Sequence, residues 1–268
     1  MKSLLRWIRR PFERARQAPL RRELEHQLTN EFGAPIQLIA AQTKGGYDEI
    51  YYAEKERERF AVVRVNSPHK KQDDPIGPND PGIPLGPQDR LDREWNAYEK
   101  LHVQGLSPRP LWRSDKAIAC SWIPWERAAR VLINQRDQFW PLLERIIPAI
   151  GGMHHADVIH LDLNLGNILV DPHGKGVAII DFEFGPVDWV SPQQQRAYDY
   201  LRIVDNCVKK RRGGNYLLSK PERFVDLLDQ SVQAEDRSAE MTFALEKLRL
   251  LAEQPELIAT LRRVFPKL

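Results

Sequence analysis

Apolar positions along this chain follow one period in the first third and another in the remainder. Between Ile36 and Val65 they come in short runs bounded by turn residues. IQLIA runs into Lys44-Gly45-Gly46, Glu49 to Ala53 alternates, and FAVVRV follows a charged turn spanning Glu54 to Arg59. Short alternating or β-branched runs predict three strands, preceded by a helix from Leu20 to Phe32. The next stretch, Ser67 to Asp89, holds six prolines, four acids and almost no large apolar side chain. It predicts a loop or locally disordered insertion, too polar to offset the entropy of its own ordering. RLDREWNAYEKLHVQGL then places Leu91, Trp95, Tyr98 and Leu101 at helical spacing and stops at Gly105, and KAIACSWIP reads as a buried strand ended by Pro124.

Helical spacing dominates from there on, over Asp137 to His155, Gln194 to Lys210 and three patches after Pro221. One interruption stands out. Ile168 to Val170 and Val177 to Ile180 flank DPHGKG, which predicts a small hairpin. The expected class is therefore α+β with two lobes of different character. A basic helical extension (residues 1–32) leads into a strand-rich lobe (33–122) carrying the proline-rich insertion (67–90), followed by a helical lobe (123–268) joined near Ile123 to Trp125.

Composition narrows the function classes. The net charge of +3 gives no polycation for nucleic acid. No run of about 18 apolar residues is available to span a bilayer. Cys120 and Cys207 are far apart in apolar contexts, which argues against a zinc cluster or disulfide framework and favours a reducing compartment. Residues 1–22 set eight Lys/Arg against the single acid Glu13, with Leu4, Leu5, Trp7, Ile8 and Phe12 sharing a helical face. Such a segment can lie on an anionic membrane surface. Equally, it can pack its apolar stripe on the main domain, and Pro11 counts slightly against the membrane version.

The chemistry concentrates around the hairpin. VIHLDLNLGNILV sets His160, Asp162 and Asn167 in the spacing H-x-D-x-x-x-x-N, and IIDFEFG then delivers Asp181, 19 residues after Asp162. A hairpin between the two aspartates would bring both to one edge. One carboxylate could then accept a proton from a hydroxyl, while the other joins an amide oxygen around Mg²⁺, which prefers few protein carboxylates plus substrate phosphates. Phosphoryl transfer needs those parts.

These motifs resemble the protein-kinase-like superfamily, whose catalytic loop reads H-R-D-x-x-x-x-N and whose metal motif reads D-F-G. The resemblance implies a bilobal fold, with Asp162 as catalytic base, Asn167 and Asp181 as metal ligands, and His160 and Asp199 as supports of the catalytic loop. It implies ATP with Mg²⁺ or Mn²⁺ as cofactors. Lys44, Gly45 and Gly46 stand for a thin glycine-rich loop, Arg64 for the phosphate-binding lysine and Glu94 for its acidic partner. Arg64 can also be read as a surface strand charge and Glu94 as an ordinary helix acid. Trp122 is a candidate at the nucleotide, or simply core packing. Asn164 stands where serine/threonine kinases place a lysine, and Glu183 replaces the glycine of D-F-G. Only 18 residues separate Asp181 from Asp199, leaving no long peptide-gripping loop.

Among such relatives the chain is most similar to the bacterial lipopolysaccharide-core kinases that phosphorylate heptose or Kdo, through LDREWNAYEKLHVQGLSPRPL and YDYLRIVDNCVKKRR. The partners implied are a nucleotide and a sugar or lipid-linked acceptor, in the cytoplasm or on the inner face of its membrane. Aminoglycoside and choline kinases share the loop pattern. A nucleotide-poor pseudokinase scaffold and an unusual protein kinase remain the alternatives. Lys209 to Arg212 reads either as a solvated helix end or as a site for an acidic substrate.

Overall fold

The computed structural model describes residues 18–41, 47–66, 77, 79–174 and 176–268. Lys44, Gly45 and Gly46, most of residues 1–22 and much of 67–90 lie outside the described residues. By contact density the chain divides into one unit of Met1–Lys70 with Pro110–Trp122 and a second of Lys71–Arg109 with Ile123–Leu268.

The first unit is built on the short apolar runs. Strands β1 (Ile36–Ala40), β2 (Glu49–Lys55) and β3 (Glu58–Val65) form where alternation predicts them. After β4 (Gly82–Pro84), which belongs to the second unit, β5 (Pro110–Arg113) and β6 (Ala117–Ser121) complete an antiparallel sheet in the order β1-β2-β3-β6-β5. Glu56 and Arg57 link β2 to β3 with φ of 53° and 70°. Positive φ at both positions is what a two-residue hairpin needs to match the strand twist. One face of the sheet buries Leu38, Tyr51, Ala53, Ala61 and Val63 against Leu24 and Leu28 of helix α1 (residues 18–32).

Helix α1 also finishes the sheet edge. As an outer strand, β1 has amides with no neighbour to bond. Ile36 N donates to Thr29 Oγ1 at 3.0 Å and Leu38 N to Glu25 Oε1 at 2.9 Å. Edge amides capped in this way cannot template pairing with another chain.

The second unit carries helices α2 (Pro87–Leu101), α3 (Ala128–Asn134), α4 (Phe139–His155) and α5 (Pro192–Val208), then shorter ones from α6 (Gly214–Ser219) and α7 (Pro221–Ser231) through α8 (Ala234–Arg237), α9 (Thr242–Lys247), α10 (Arg249–Ala252) and α11 (Pro255–Leu261). Leu143, Ile146, Ile147, Ile150 and Met153 of α4 have no exposed surface. Helix α5 starts two residues before the predicted Gln194 because Ser191 and Gln194 form a reciprocal capping box around Pro192. Antiparallel pairing also joins β7 (Glu126–Arg127), β8 (Ile168–Val170) and β9 (Val177–Ile179) in that order. The overall class is α+β, with antiparallel sheets and helices.

The expected loop of Ser67 to Asp89 is in part ordered. β4 pairs with β10 (Phe184–Pro186), matching Ile83 to Gly185. Composition hid this strand because its partner lies far along the chain. Proline suits such a ribbon, since a strand with one neighbour tolerates a missing donor. Both cysteines are buried and free, and burial pushes the Cys207 thiol up to about 12.

Leu28→Ala should lower unfolding free energy by about 2–5 kcal/mol, because Leu28 has no exposed surface and its loss leaves a cavity. Val103→Ala, at a side chain 74% exposed, should stay within about 0.5 kcal/mol. Urea titration of the full chain reads both.

Candidate active site

The hairpin of β8 and β9 sets the geometry. Ile168 pairs with Ile179, and the ladder continues one step further, where Ile180 N donates to Asn167 O at 3.0 Å. Asn167 therefore lies opposite Ile180, and Asp181 is the next residue beyond. The approach from Asp162 is built from side-chain amides. Asn164 Oδ1 accepts from Gly166 N at 2.8 Å, and Asn164 Nδ2 donates to Asp162 O at 3.1 Å. Asn167 Nδ2 donates to the same carbonyl at 3.2 Å, and Arg127 Nη1 reaches Gly166 O at 2.8 Å. Asx-type bonds of this kind let Asn stabilise turns that regular structure cannot supply. Asp162, Asn167 and Asp181 are thereby gathered at the open end of one hairpin.

A buried acid holds this loop from behind. Asp199, on α5 and fully buried, accepts from His160 N at 2.9 Å, Leu161 N at 2.8 Å and His154 Nε2 at 3.2 Å. Leu161 and Asp181 are both left-handed, with φ of 68° and 79°. Such strain costs about 1–3 kcal/mol per residue. Hydrogen bonds to a charged group contribute about 1.5–3 kcal/mol each, so the Asp199 pair is enough to hold Leu161. On the other side, Phe182 is fully buried, its ring 4.7 Å from that of His160 and 6.0 Å from that of Tyr98. His160 Nε2 lies 3.0 Å from Ile180 O, tying the loop to the segment that carries Asp181.

One turn beyond Asp199 on the same helix, Arg202 Nη2 donates to Asp162 Oδ1 at 3.1 Å. Burial pulls the Arg202 guanidinium down, but Asp162, together with Tyr198 and Asp205, carries it above its ordinary value. Arg202 thus fixes one oxygen of Asp162 and balances its charge. Among the described residues the second oxygen, Oδ2, has only the 3.4 Å contact from Asn164. The motif reading did not assign Arg202. The signal was present as the three-residue spacing Asp199 to Arg202, which puts both side chains on one face of α5.

The remaining predicted residues are placed as follows. Arg64, on β3 in the first unit, is buried and its Nη1 lies 3.4 Å from Asp48 Oδ2. Trp122, also in the first unit, packs edge-on against Tyr52 at 5.2 Å, and Arg59 sits over both rings. Glu94, on α2 in the second unit, is buried and accepts a hydrogen bond from the Tyr98 hydroxyl. His154 is a buried prop for Asp199, and His155 Nδ1 bonds the Gly151 carbonyl.

The donor set suits a hard cation. Asn167 spends its amide nitrogen on the Asp162 carbonyl, so its oxygen is the atom left to face an ion. Asp181, one residue beyond Ile180, would add one carboxylate, and the pair suits Mg²⁺, which takes one or two protein carboxylates and completes its shell with phosphates and water. Among the described residues no group of three or more His, Cys, Asp and Glu side chains could hold a metal by itself.

A family model described as the phosphotransferase enzyme family, APH, matches residues 98–191. That span contains His160, Asp162, Asn167 and Asp181, and excludes Arg64, Glu94, Asp199 and Arg202. No curated protein matches the chain. The match supports a phosphotransferase enzyme with kinase-like phosphoryl transfer.

Asp199→Asn should destabilise the protein by about 3 kcal/mol, because an amide cannot accept from two amides and a histidine at once and leaves buried donors unpaired. Thermal melting of the full chain measures it. A change under about 0.5 kcal/mol would mean the loop is held by other contacts.

Proposed function

We propose that this protein is an ATP-dependent kinase that transfers the γ-phosphoryl group to a hydroxyl of a sugar, in lipopolysaccharide core a heptose or Kdo. The observation that carries this reading is the gathering of Asp162, Asn167 and Asp181 at one hairpin end, with Asp162 oriented by a cation. In this reading Asp162 Oδ2 takes the proton of the attacking hydroxyl, while Oδ1 stays on Arg202. A carboxylate whose charge is balanced but not removed can orient a hydroxyl without needing to be a strong base. Asn167 and Asp181 would hold Mg²⁺, which supplies positive charge to the phosphates when bound.

The acceptor is small rather than a peptide. From Glu183 onward the chain is stitched into the β4–β10 ribbon, with Leu85 N donating to Glu183 O at 3.4 Å, and it enters α5 at Pro192. Carbohydrate is favoured by Trp189, which is 48% exposed. Its ring packs edge-on to Phe243 at 5.2 Å, and Phe243 stacks on Tyr198 at 6.3 Å. Tyr198 lies one turn from Arg202, so an exposed aromatic face stands in contact sequence with the residues around Asp162. For a lipid-linked acceptor, basic residues 1–22 would draw the enzyme to an anionic membrane surface. Among the described residues no helix is long and apolar enough to cross a membrane.

A second reading, a pseudokinase scaffold, draws on Arg64, whose guanidinium already faces the buried carboxylate of Asp48. Titration with ATP·Mg²⁺ separates the two, since a nucleotide-binding enzyme gains thermal stability by mass action and a scaffold of this kind does not.

Asp162→Asn should lower kcat by about 10²–10⁴ while leaving ATP·Mg²⁺ binding in place. Phosphate incorporation into core oligosaccharide, followed by mass spectrometry, is the measurement. Full turnover by Asp162→Asn would remove Asp162 from the chemistry. Trp189→Ala should raise the acceptor KM several-fold with the ATP KM unchanged.

A further inference from the structure

Positive charge continues along α5 beyond Arg202 without matching acids. Arg202 Nη1 lies 3.8 Å from Asp205 Oδ2, but Asp205 is already engaged, its Oδ1 accepting from Leu250 N at 3.0 Å and Leu251 N at 3.1 Å. One turn on, Asn206 Nδ2 donates to Arg202 O at 3.3 Å, and Arg212 Nη1 returns to Asn206 Oδ1. The return is made by a tight turn over Lys210–Arg212, in which Arg212 N bonds Lys209 O at 2.7 Å. Gly213 closes it at φ 92°, with its α-carbon so near the Phe139 ring that a Cβ would come within 2.5 Å. Sequence positions 202, 209 and 212 are thus folded onto one end of one helix.

Two cations at this end, Lys209 and Arg212, have no acid in an ion pair with them among the described residues. The Lys209 ammonium has no hydrogen-bond or ion-pair partner among the described residues, and Arg212 Nε is buried without an acceptor. Lys209 is held below its ordinary value by burial and then by Arg212, with Arg202 and Arg211 adding to the effect and only Asp205 opposing it. Arg212 is lowered by burial and then by Arg211. Cations packed until they repel one another are destabilising in the free protein, and a bound anion relieves that cost. A helix rises about 1.5 Å per residue, so the backbone of Lys209 lies about 10 Å along the axis from that of Arg202, whose side chain holds Asp162. That is the reach of a sugar bearing one charged substituent.

We propose that Lys209 and Arg212 form an anion subsite for the acceptor. They would hold a phosphate or carboxylate on the sugar whose hydroxyl is presented to Asp162. The proposal rests on the reading of Asp162 as the base, and it deepens that reading by naming the acceptor class as an acidic sugar. A polycationic acceptor such as an aminoglycoside would be repelled from the same place. Arginine and lysine suit the two anions alike, arginine by its paired donors and lysine as a point charge.

The test is calorimetric titration of the full chain with glucose 6-phosphate, glucuronate, glucose and an aminoglycoside, each with and without ATP·Mg²⁺. Both anionic sugars should bind at least about tenfold tighter than glucose, and the aminoglycoside should show no binding. Preference for the phosphate over the uronate, or the reverse, identifies which anion the subsite takes. Lys209→Gln, which breaks no hydrogen bond or ion pair among the described residues, should weaken the anionic sugars about fivefold and leave glucose and ATP·Mg²⁺ unchanged. Lys220→Gln, at an exposed lysine on another turn, should change nothing. Equal affinity for glucose and its phosphate, or loss of ATP affinity in Lys209→Gln, would overturn the subsite. The two readings fail separately. Anion preference that survives in a protein with no phosphoryl transfer keeps the subsite and removes the kinase, whereas transfer without anion preference does the reverse.

Discussion

The carboxylate of Asp199 is fully buried and accepts two successive backbone amides and a histidine. Every position at the open end of the β8–β9 hairpin depends on it, because those two amides belong to the residues immediately before Asp162. A charge in that position would be costly alone. Surrounded by three donors it becomes a rigid peg, and a left-handed Leu161 becomes the low-energy arrangement rather than a strained one. His160 and Phe182 pass the same constraint on to the segment that bears Asp181, through a ring contact and a bond to Ile180 O. The architecture around the candidate site is therefore tied to one side chain of one helix.

Helix α5 has two functions that compete for its surface. Most of it is packing, with Ala197, Leu201, Ile203, Val204 and Cys207 all without exposed area. Its remaining face carries Asp199, Arg202, Asp205 and Asn206, a polar stripe inside a buried helix. Each member of the stripe has a partner: loop amides for Asp199, Asp162 for Arg202, helix α10 amides for Asp205, and Arg212 for Asn206. A stripe satisfied in this way costs little and fixes the register of α5 against the loop that carries Asp162, since a rotation by one residue would break every bond together.

What could be read from the chain follows the distance over which each feature is decided. The β8–β9 hairpin is local, and the apolar runs on either side of DPHGKG predict it to within a residue. Strands β2 and β3 are equally local, with alternation and a charged turn between them. The ribbon of β4 and β10 was not legible, because each half is three residues long and neither has strand composition without the other. Arg202 was not recognised as the partner of Asp162 for the same reason, since 40 positions separate them and only the winding of α5 brings them together. The start of α5 was legible in principle: S-P-Q-Q is a capping box with proline at the first helical position, but the apolar pattern that drew attention begins later. Arg64 was read through its motif position, and motif position says nothing of Asp48, which packs against it from before β2.

The ribbon has a consequence for control. Many enzymes of the kinase type are switched by a segment that is loose until a modification orders it. Here the stretch after Asp181 is already woven into a two-stranded ladder, and a Cβ at Gly185 would meet the Leu85 side chain. In the proposed kinase, a segment already paired in this way would not need ordering by a modification.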